Sequence, residues 1–456
     1  MNIILLSGGS GKRLWPLSND IRSKQFIKIF RKEDGEYESM VQRVYRQIRS
    51  VDKNASVTIA TSKTQVSSIH NQLGDDVSIS LEPCRRDTFP AIALATAYLV
   101  DVLKINPDES VVVCPVDPYV DDSYFEKLKD IAEEAEKGKS NLVLMGIEPT
   151  YPSEKYGYII PSDKNEISSV REFKEKPTAA VAEEYIRQGA LWNGGVFAYK
   201  LSYMMAKAHE LLDFVDYGDL FRRYETLTKI SFDYAVVEHE KSIEVVKYSG
   251  EWKDLGTWNT MTESMDEKVI GKGVMDDTCS GVSIINEMDV PVLAMGLTDV
   301  IISASPDGIL VSDKEKSSYI KPFVDKFEQQ VMYAEKSWGS YKVIDVGKES
   351  LTVKVTLNPG HRMNYHSHKN RDEVWVVIFG QGIAIVNGVD RCVKEGDVIV
   401  MPNGTKHTVI SKTELQLIEV QIGSDISNED KESFESDSKF VYEILEAKIN
   451  LRKKLF

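Results

Sequence analysis

The periodicity of apolar residues changes along this chain, and that change restricts the possible folds more than any single motif. Up to about residue 265, short apolar runs alternate with stretches in which apolar residues recur at helical spacing. From about residue 335, apolar and polar residues alternate one by one, as they do from Leu351 to Leu357. Alternating strands and helices are typical of an α/β fold, whereas many short, evenly spaced strands are typical of an antiparallel barrel. The pattern therefore predicts two different folds in one chain.

The first part of the chain predicts a doubly wound, mostly parallel sheet. Its strand candidates are Asn2–Leu6, Val57–Ala60, Val77–Leu81, Val111–Pro115 and Leu142–Ile147. Helices are expected around Met40–Ile48 and Phe125–Ile131, and Pro90 is expected at the first position of a helix that continues to Leu103. Because ligands bind beyond the carboxyl ends of parallel strands, chemistry is expected in the loops after the first, third and fourth strands.

The length of 456 residues is too great for one hydrophobic core, so several domains are expected. The pattern predicts an α/β domain over residues 1–265 and a small β connector over 266–330. A jelly-roll β-barrel is predicted over 331–425, followed by a charged helical tail over 426–456.

The composition restricts the partners and the compartment. A net charge of −15 argues against nucleic acid and anionic membranes as partners. No apolar run reaches the roughly 18 residues that a membrane helix needs, and the N-terminus lacks the basic region of a secretory signal. The four cysteines are far apart, which favours a reducing cytoplasm. Small anionic substrates remain compatible because basic residues cluster locally, at Lys12, Arg13, Arg22, Lys24 and Lys28.

A glycine-rich turn follows the first predicted strand, which ends at Leu6. Its glycines are Gly8, Gly9 and Gly11. Such glycines let backbone N–H groups approach phosphate oxygens, although the spacing is neither that of a P-loop nor G-x-G-x-x-G. Arg13 offers a forked, permanently charged donor to phosphates, and Lys24 offers a compact charge. The segment therefore indicates a phosphate site, with a plain tight turn as the alternative.

Two aspartates stand at the ends of short apolar segments. Asp117 follows Val111–Pro115, and Asp254 lies in a turn before the helical pattern that starts near Trp258. Magnesium prefers one or two protein carboxylates together with substrate phosphates. We therefore expect this pair to hold Mg²⁺, the alternative being capping or turn aspartates.

The segment from Gly8 to Leu17 resembles the signature of sugar-phosphate nucleotidyltransferases, and Lys24-Gln25-Phe26 is similar to the mannose-1-phosphate guanylyltransferase branch. The resemblance implies catalytic roles for Arg13, Lys24, Asp117 and Asp254. It implies nucleotide contacts by Leu6, Gly8, Gly9, Gly11, Lys12, Glu82, Pro83 and Arg86. It also implies sugar-phosphate contacts by Gly157, Tyr158, Glu175, Lys176 and Asn193. Departures from the family pattern occur at Lys12, Ser23, Asp87, Phe89 and Pro118.

The last third of the chain carries a set of candidate metal ligands. His366 and His368 stand two apart and therefore point to one face of a strand. Glu373 and His407 come from other predicted strands. Three imidazoles and one carboxylate suit Zn²⁺, Mn²⁺, Fe²⁺ or Co²⁺. The spacing of the four ligands resembles both cupin motifs.

The fused arrangement resembles the bifunctional mannose-6-phosphate isomerase/mannose-1-phosphate guanylyltransferases over nearly the whole chain. It implies that GTP and α-D-mannose 1-phosphate give GDP-mannose and diphosphate, in the service of polysaccharide assembly. Isomerase activity stays open, because Asn370 and Val374 replace two histidines of the family pattern. Two alternatives remain: another hexose 1-phosphate or nucleoside triphosphate as substrate, and a cupin fusion that senses sugar phosphates. A homo-oligomer is also left open.

Overall fold

A nine-stranded mixed sheet forms the centre of the first part of the chain. The computed structural model describes residues 1–9, 11–19, 21–327 and 330–434. The strands of this sheet lie in the spatial order Ser78–Glu82, Ser56–Ser62, Asn2–Ser7, Ser110–Pro115, Leu191–Lys200, Leu142–Ile147, Ile243–Tyr248, Ile167–Lys174 and Tyr158–Pro161. The first four are parallel, as predicted, and Leu191–Lys200 then runs antiparallel to both of its neighbours.

Both faces of this sheet are buried. Successive side chains of a strand point to opposite faces, and each face packs against a hydrophobic core of its own. Ile3 and Leu5 belong to one hydrophobic core, whereas Ile4 belongs to the other. Helices that cover the first face include Met40–Val51 and Ser123–Lys137, and those on the second face include Thr88–Ala97 and Leu201–Leu211. The α/β class with a doubly wound sheet is thus confirmed.

The remaining elements of the first part are short. The further α-helices are Val66–Leu73, Ala179–Arg187, Tyr217–Arg223, Trp258–Glu263 and Lys321–Val324. The 3₁₀ turns are Gly11–Leu14, Lys24–Phe26, Tyr224–Thr226 and Lys316–Tyr319, and the π turns are Tyr98–Val102 and Asp233–Val237. Two small antiparallel sheets pair Lys28–Arg31 with Tyr37–Ser39 and Pro118–Val120 with Trp252–Asp254. None of the helices in the described ranges has the length and apolar character needed to span a bilayer.

The helix expected to open at Pro90 begins two residues earlier. Asp87 adopts φ +69°, and its side chain accepts a hydrogen bond from the Thr88 N–H at 2.8 Å. Pro90 is therefore the third residue of the helix Thr88–Ala97. Proline is tolerated there because the first N–H groups of a helix have no intrahelical acceptor. A π turn then extends the helix to Val102, one residue short of the predicted end.

The predicted connector forms short β-strands, and it packs with the first part of the chain. The strands are Val269–Gly271, Gly273–Met275, Ser283–Asn286, Val292–Ala294, Val300–Ser305 and Gly308–Asp313. Ile285 and Ile301 join the same hydrophobic core as Ile3. By internal contacts the first unit therefore comprises residues 1–303 and 309–327, and the second comprises 304–308 and the described residues from 330 onward.

The second unit is a sandwich of two antiparallel sheets, the predicted jelly roll. One sheet contains Tyr333–Lys336, Gly339–Val346, Ser350–Leu357, Leu415–Gly423, Arg371–Phe379 and Val398–Met401, and the other contains Val389–Lys394, Gln381–Val386, His407–Ser411, His366–His368 and Lys431–Ser433. The turn at Asn387 and Gly388 has positive φ at both residues, +47° and +78°. This geometry suits a tight hairpin between the two strands it joins.

The segment after residue 425 differs from the predicted helical tail where the structure describes it. Asn428–Asp430 is a single 3₁₀ turn, and Lys431–Ser433 is a strand. The strand forms because its backbone pairs with His366–His368, with Ser433 opposite His366 and Lys431 opposite His368. The rest of the predicted tail, 435–456, lies outside the described residues.

Candidate active site and metal centre

A two-stranded sheet brings together the two aspartates predicted to bind magnesium. Asp117 directly precedes the strand Pro118–Val120, and Asp254 ends the strand Trp252–Asp254. In the antiparallel register Asp254 stands opposite Pro118. Two residues far apart in sequence therefore present their carboxylates at one place, next to the carboxyl end of Ser110–Pro115.

Lys24 places its ammonium group between these carboxylates. Its Nζ lies 2.7 Å from Asp117 Oδ2 and 3.8 Å from Asp254 Oδ1. Burial lowers the pKa of Lys24, but the two carboxylates outweigh burial, so the pKa is raised overall. Burial raises the pKa of Asp254, and Lys24 opposes that change. A site that already accommodates a cation between two carboxylates fits the donor set that Mg²⁺ prefers.

The aspartates open onto a cleft of about 270 Å³. Its wall includes Lys155, Tyr156, Asn193 and Trp252, of which Asn193 was predicted to contact the sugar phosphate. The Tyr156 ring packs edge-on against Trp252 with centroids 5.3 Å apart. The Asn193 side chain is fixed at both ends, since its amide donates to Asp233 Oδ1 at 2.6 Å and its oxygen accepts from Gly195 N at 3.1 Å.

Glu175 and Gly157 form a tight contact near Asn193. A Cβ at Gly157 would lie 2.5 Å from Glu175 Oε2 and 3.0 Å from Phe173 Cζ, so a larger residue there would have to displace the glutamate carboxylate. The backbone carbonyl of Gly157 accepts from Asn193 N at 2.8 Å. Glu175 Oε2 is buried and has no hydrogen-bond partner among the described residues. A buried acceptor without a partner is costly in a folded protein, and a hydroxyl donor would satisfy it.

Charged groups surround this acceptor. Lys176 forms an ion pair with Glu175 and adopts φ +46°, which is uncommon outside glycine and is found at functional sites. Burial, followed by the nearby Glu175 charge, raises the pKa of Asp233 to about 6. The hydrogen bond between Asp233 and Asn193 could not be predicted from the sequence.

Tyr158, predicted to contact the sugar phosphate, lies inside the hydrophobic core. Its side chain is fully buried. Its hydroxyl accepts from Ser153 N at 2.8 Å and from Trp192 Nε1 at 3.1 Å. Because these bonds hold the phenol inside the core, the side chain contributes packing.

The glycine-rich turn is open at its tip. A Cβ at Gly8 or Gly9 would meet no atom within 4 Å, and Gly9 has φ +125°. Leu6 lies in the preceding strand, and Gly11 begins the 3₁₀ turn that carries Arg13, whose side chain is exposed. The backbone at the tip is thus accessible to phosphate oxygens.

The basic residues near this turn contact different partners. Arg85 donates to the Gly9 carbonyl at 2.9 Å, a contact that the sequence did not signal. Lys12 lies 3.2 Å from Asp325 Oδ1. Arg22 binds both oxygens of Glu287, at 2.7 and 2.9 Å, and is buried. Arg22 of the predicted basic cluster is therefore committed to an ion pair within the fold.

Of the predicted nucleotide-binding residues, Glu82 ends the strand Ser78–Glu82, and Pro83 and Arg86 follow it. Tyr224 donates to Glu82 Oε2 at 2.9 Å, and burial raises the pKa of Glu82. Arg86 donates to the backbone carbonyl of Glu225. The departures at Asp87 and Phe89 are explained by packing, because Asp87 caps a helix and Phe89 is buried in the core.

The second unit brings the four predicted metal ligands into one buried cluster. One ligand atom from each of His366, His368, Glu373 and His407 lies within 4.8 Å of the other three. His368 Nε2 is 3.0 Å from Glu373 Oε1, and His407 Nε2 is 3.1 Å from Glu373 Oε2. Contacts with the two imidazoles lower the pKa of Glu373 despite its burial, which favours the ionised form that a metal requires.

Backbone carbonyls orient two of these imidazoles. His366 Nδ1 lies 2.6 Å from the Asn364 carbonyl, and His407 Nδ1 lies 2.9 Å from the Thr405 carbonyl. These bonds place a proton on Nδ1, so in the neutral form of each imidazole Nε2 carries the lone pair that a metal binds. Burial lowers the pKa of His366, which keeps it neutral. The donor set therefore fits a divalent transition metal.

Further polar groups line this interior. Glu419 and Gln421 are buried on Leu415–Gly423, and the Gln421 amide donates to Glu419. The strand alternates inward at Leu415, Leu417, Glu419 and Gln421, so its period could have identified them. Asn370 instead binds Asp430 at 2.9 Å. Its amide is therefore engaged outside the four-residue cluster.

Comparisons with known proteins show which family this chain belongs to. A nucleotidyl transferase family matches residues 2–269, which is more than half of the chain. The chain belongs to this family. A second match, to the C-terminal part of mannose-6-phosphate isomerase, covers residues 325–436. The predicted fusion of a nucleotidyl transferase with such a domain is confirmed.

Relatives of this nucleotidyl transferase extend over nearly its whole length. A putative mannose-1-phosphate guanylyltransferase of Vibrio cholerae is 30% identical over 95% of this chain and 99% of its own. The alginate biosynthesis protein AlgA of Pseudomonas aeruginosa is 28% identical over 95% of this chain and 96% of its own. A crystal structure described as mannose-1-phosphate geranyltransferase of Thermus thermophilus shares 29% identity at a TM-score of 0.60, covering 72% of this chain and 99% of that one.

Proposed function

We propose that the first unit is a mannose-1-phosphate guanylyltransferase, which converts GTP and α-D-mannose 1-phosphate to GDP-mannose and diphosphate. The observation that carries this proposal is the position of Lys24 between Asp117 and Asp254, at a cleft that also contains Asn193. The names of the full-length relatives support the choice of mannose 1-phosphate and a guanylyl group. A divalent cation, a phosphate-binding lysine and a sugar site would then meet at one point.

The reaction needs positioning and charge neutralisation more than proton transfer. A phosphate oxygen of the sugar phosphate forms a bond to the α-phosphorus of GTP, and the bond to the departing diphosphate breaks. The nucleophile is already an anion, so no general base is required. Effective concentration and preorganised positive charge then supply most of the rate enhancement.

The residues of the chain would divide this work. Gly8 and Gly9 would present backbone N–H groups to the triphosphate, and Arg13 would neutralise it. Asp117 and Asp254 would hold Mg²⁺, which when bound neutralises phosphate charge. Lys24, positioned by those carboxylates, would contact a phosphate of either substrate.

Sugar and base recognition would follow from the surrounding groups. Glu175 Oε2, a buried acceptor without a partner among the described residues, would accept from a sugar hydroxyl. Asn193, fixed by Asp233, would bind the sugar, and Lys176 would bind its phosphate. Glu82, with its neighbours Pro83 and Arg86, would contact the base.

Diphosphate release tests the proposal directly. Purified protein would be supplied with Mg²⁺ and mannose 1-phosphate, and GTP would be compared with ATP, UTP, CTP and dTTP. A strong preference for GTP is expected. Release with another nucleotide alone would favour the alternative specificity, and no release from folded protein with any of these would overturn the proposal.

The cluster in the second unit supports a second activity, mannose-6-phosphate isomerisation. His366, His368, Glu373 and His407 would hold Zn²⁺, Mn²⁺, Fe²⁺ or Co²⁺, and such a metal polarises a carbonyl when bound. The match to a mannose-6-phosphate isomerase family supports this activity. The test is conversion of fructose 6-phosphate to mannose 6-phosphate by metal-loaded protein. Binding of the sugar phosphate without conversion would favour a sensor.

The free state of all four cysteines supports a reducing compartment, and we expect the protein in the cytoplasm. GTP and mannose 1-phosphate are its expected partners.

A further inference from the structure

A network of buried polar side chains lies beneath the glycine-rich turn. Its members are Ser7, Ser23, Gln25, Thr61 and Gln65, each at most 1% exposed. Gln65 is its centre. Its Oε1 accepts from Thr61 Oγ1 at 2.8 Å, from Gln25 Nε2 at 3.2 Å and from Ser7 Oγ at 3.4 Å. Its Nε2 donates to Ser23 Oγ at 2.8 Å.

The network joins segments that carry different parts of the site. Ser7 immediately precedes Gly8, whereas Ser23 and Gln25 flank Lys24 on both sides. Ser23 also donates to the Gly9 carbonyl at 3.3 Å. Gln65 belongs to neither segment, since it precedes the helix Val66–Leu73. One amide thus binds both the phosphate turn and the residues around Lys24.

From this arrangement we propose that Gln65 is a positioning residue for nucleotidyl transfer, which holds Lys24 at a fixed distance from the glycine-rich turn. The inference rests on the proposed function of the first unit. Gln65 lies below the turn and acts through Lys24. The network also gives Ser23, one of the departures from the family pattern, a role, because its hydroxyl accepts from Gln65 Nε2 and donates to the Gly9 carbonyl.

The physical basis is the rigidity of a buried hydrogen-bond network, in which Gln25 Oε1 is the one member atom that lacks a partner among the described residues. Such networks favour one arrangement of their members, because any other leaves a buried polar group unpaired. Displacement of a reacting group by about 1 Å can reduce turnover about a hundredfold. A loss of Gln65 should therefore reduce kcat more than it raises the KM for either substrate.

A double-mutant cycle separates positioning from general stability. Gln65→Leu removes all four hydrogen bonds at similar volume, and Lys24→Met removes the group on which Gln65 acts. We expect Gln65→Leu to lower kcat about 10- to 100-fold in the native background and to have almost no further effect in Lys24→Met. Equal losses in the two backgrounds would overturn the proposal.

A matched control is available in the same unit. Thr96 Oγ1 and Tyr199 Oη form a buried hydrogen bond at 3.2 Å away from the proposed site. Thr96→Val should lower the melting temperature as a buried hydrogen-bond loss does, and it should leave kcat unchanged. If Gln65→Leu does not fold, Ser23→Ala removes only the link between Gln65 and Gly9 and is used in the same cycle.

A structural readout keeps the inference testable if the protein transfers no guanylyl group at all. The crystal structure of Gln65→Leu, or of Ser23→Ala, would be compared with that of the native protein. We expect Lys24 Nζ to move out of hydrogen-bond reach of Asp117, or Gly9 to shift. Unchanged positions of both would overturn the inference, whereas failure of diphosphate release alone would overturn only the proposed function.

Discussion

The Lys24 ammonium group lies 2.7 Å from Oδ2 of Asp117, so the first unit has a cation at the place proposed for magnesium. Lys24 and Mg²⁺ would then share the same carboxylates. Binding of the metal must weaken the ion pair, which frees the lysine for a substrate phosphate. Occupation by the metal and release of the lysine are therefore expected to be coupled.

The first prediction follows from this competition. Lys24→Met should bind Mg²⁺ about tenfold more tightly than the native protein, because the metal no longer has to displace the lysine. A tenfold change corresponds to about 1.4 kcal/mol of binding free energy. Turnover should nevertheless fall, because a phosphate ligand is lost. Isothermal titration with Mg²⁺ measures the affinity in the absence of substrates. Weaker binding in Lys24→Met would contradict the idea that the lysine and the metal compete.

The second prediction concerns Asp254. Asp254→Asn should lower diphosphate release on the order of a hundredfold or more, since a bound metal supplies several kcal/mol of charge stabilisation. The fold should be preserved, because the Asp254 side chain is 45% exposed and asparagine has nearly the same shape. Asp266→Asn, at an exposed aspartate of the same unit that does not line the cleft, is the control. Normal turnover in Asp254→Asn would exclude Asp254 as a metal ligand.

The sequence predicts some parts of this site well, because they lie in contiguous motifs. Asp117 follows a buried strand and Lys24 follows a glycine-rich turn, so residue type and context suffice. Gln65 could not be found in this way, because its partners come from three other segments and their hydrogen bonds exist only after the sheet has formed. The same reason hides the contact between Arg85 and Gly9.

The sequence likewise predicts most elements of the fold and misses a few. Period-two and helical patterns located the strands of both units, since burial of one or both faces determines them. The helix start at Thr88 was missed because Asp87 adopts φ +69°, a conformation set by tertiary context. The strand at Lys431–Ser433 was missed because three charged or polar residues form a strand there only by pairing with His366–His368.

The third prediction uses the pKa of Asp233, which burial and Glu175 raise from 3.8 to about 6. The folded state binds the proton more tightly than the unfolded state, so this contribution to stability is complete below about pH 4. It is lost as the pH rises through about 6, and amounts to at most about 3 kcal/mol. Asp233→Asn removes the titrating carboxyl group, so the variant should not lose this stability as the pH rises. The free energy of unfolding of the variant, relative to the native protein, should therefore increase between pH 4 and pH 8. A pH-independent difference would show that Asp233 titrates normally.

The fourth prediction concerns the cluster in the second unit. Loading with Zn²⁺ or Mn²⁺ should raise the melting temperature of this unit, because a ligand that binds only the folded state stabilises it by about 2.7 kcal/mol at a hundred times its dissociation constant. Elemental analysis should find one metal per chain in this site, and prolonged chelation should reverse both effects. His407→Gln should lose the metal, since it removes one of four converging donors.

A control histidine makes this test specific. His361 lies in the same unit, and its Nδ1 faces the carbonyl of Pro359 at 3.1 Å, outside the cluster. His361→Gln should retain the metal and the thermal shift. If His407→Gln keeps both as well, the cluster does not bind the metal. In that case the low pKa of Glu373 would reflect only its two imidazole contacts, and the second unit could not supply metal-assisted isomerisation through these four residues.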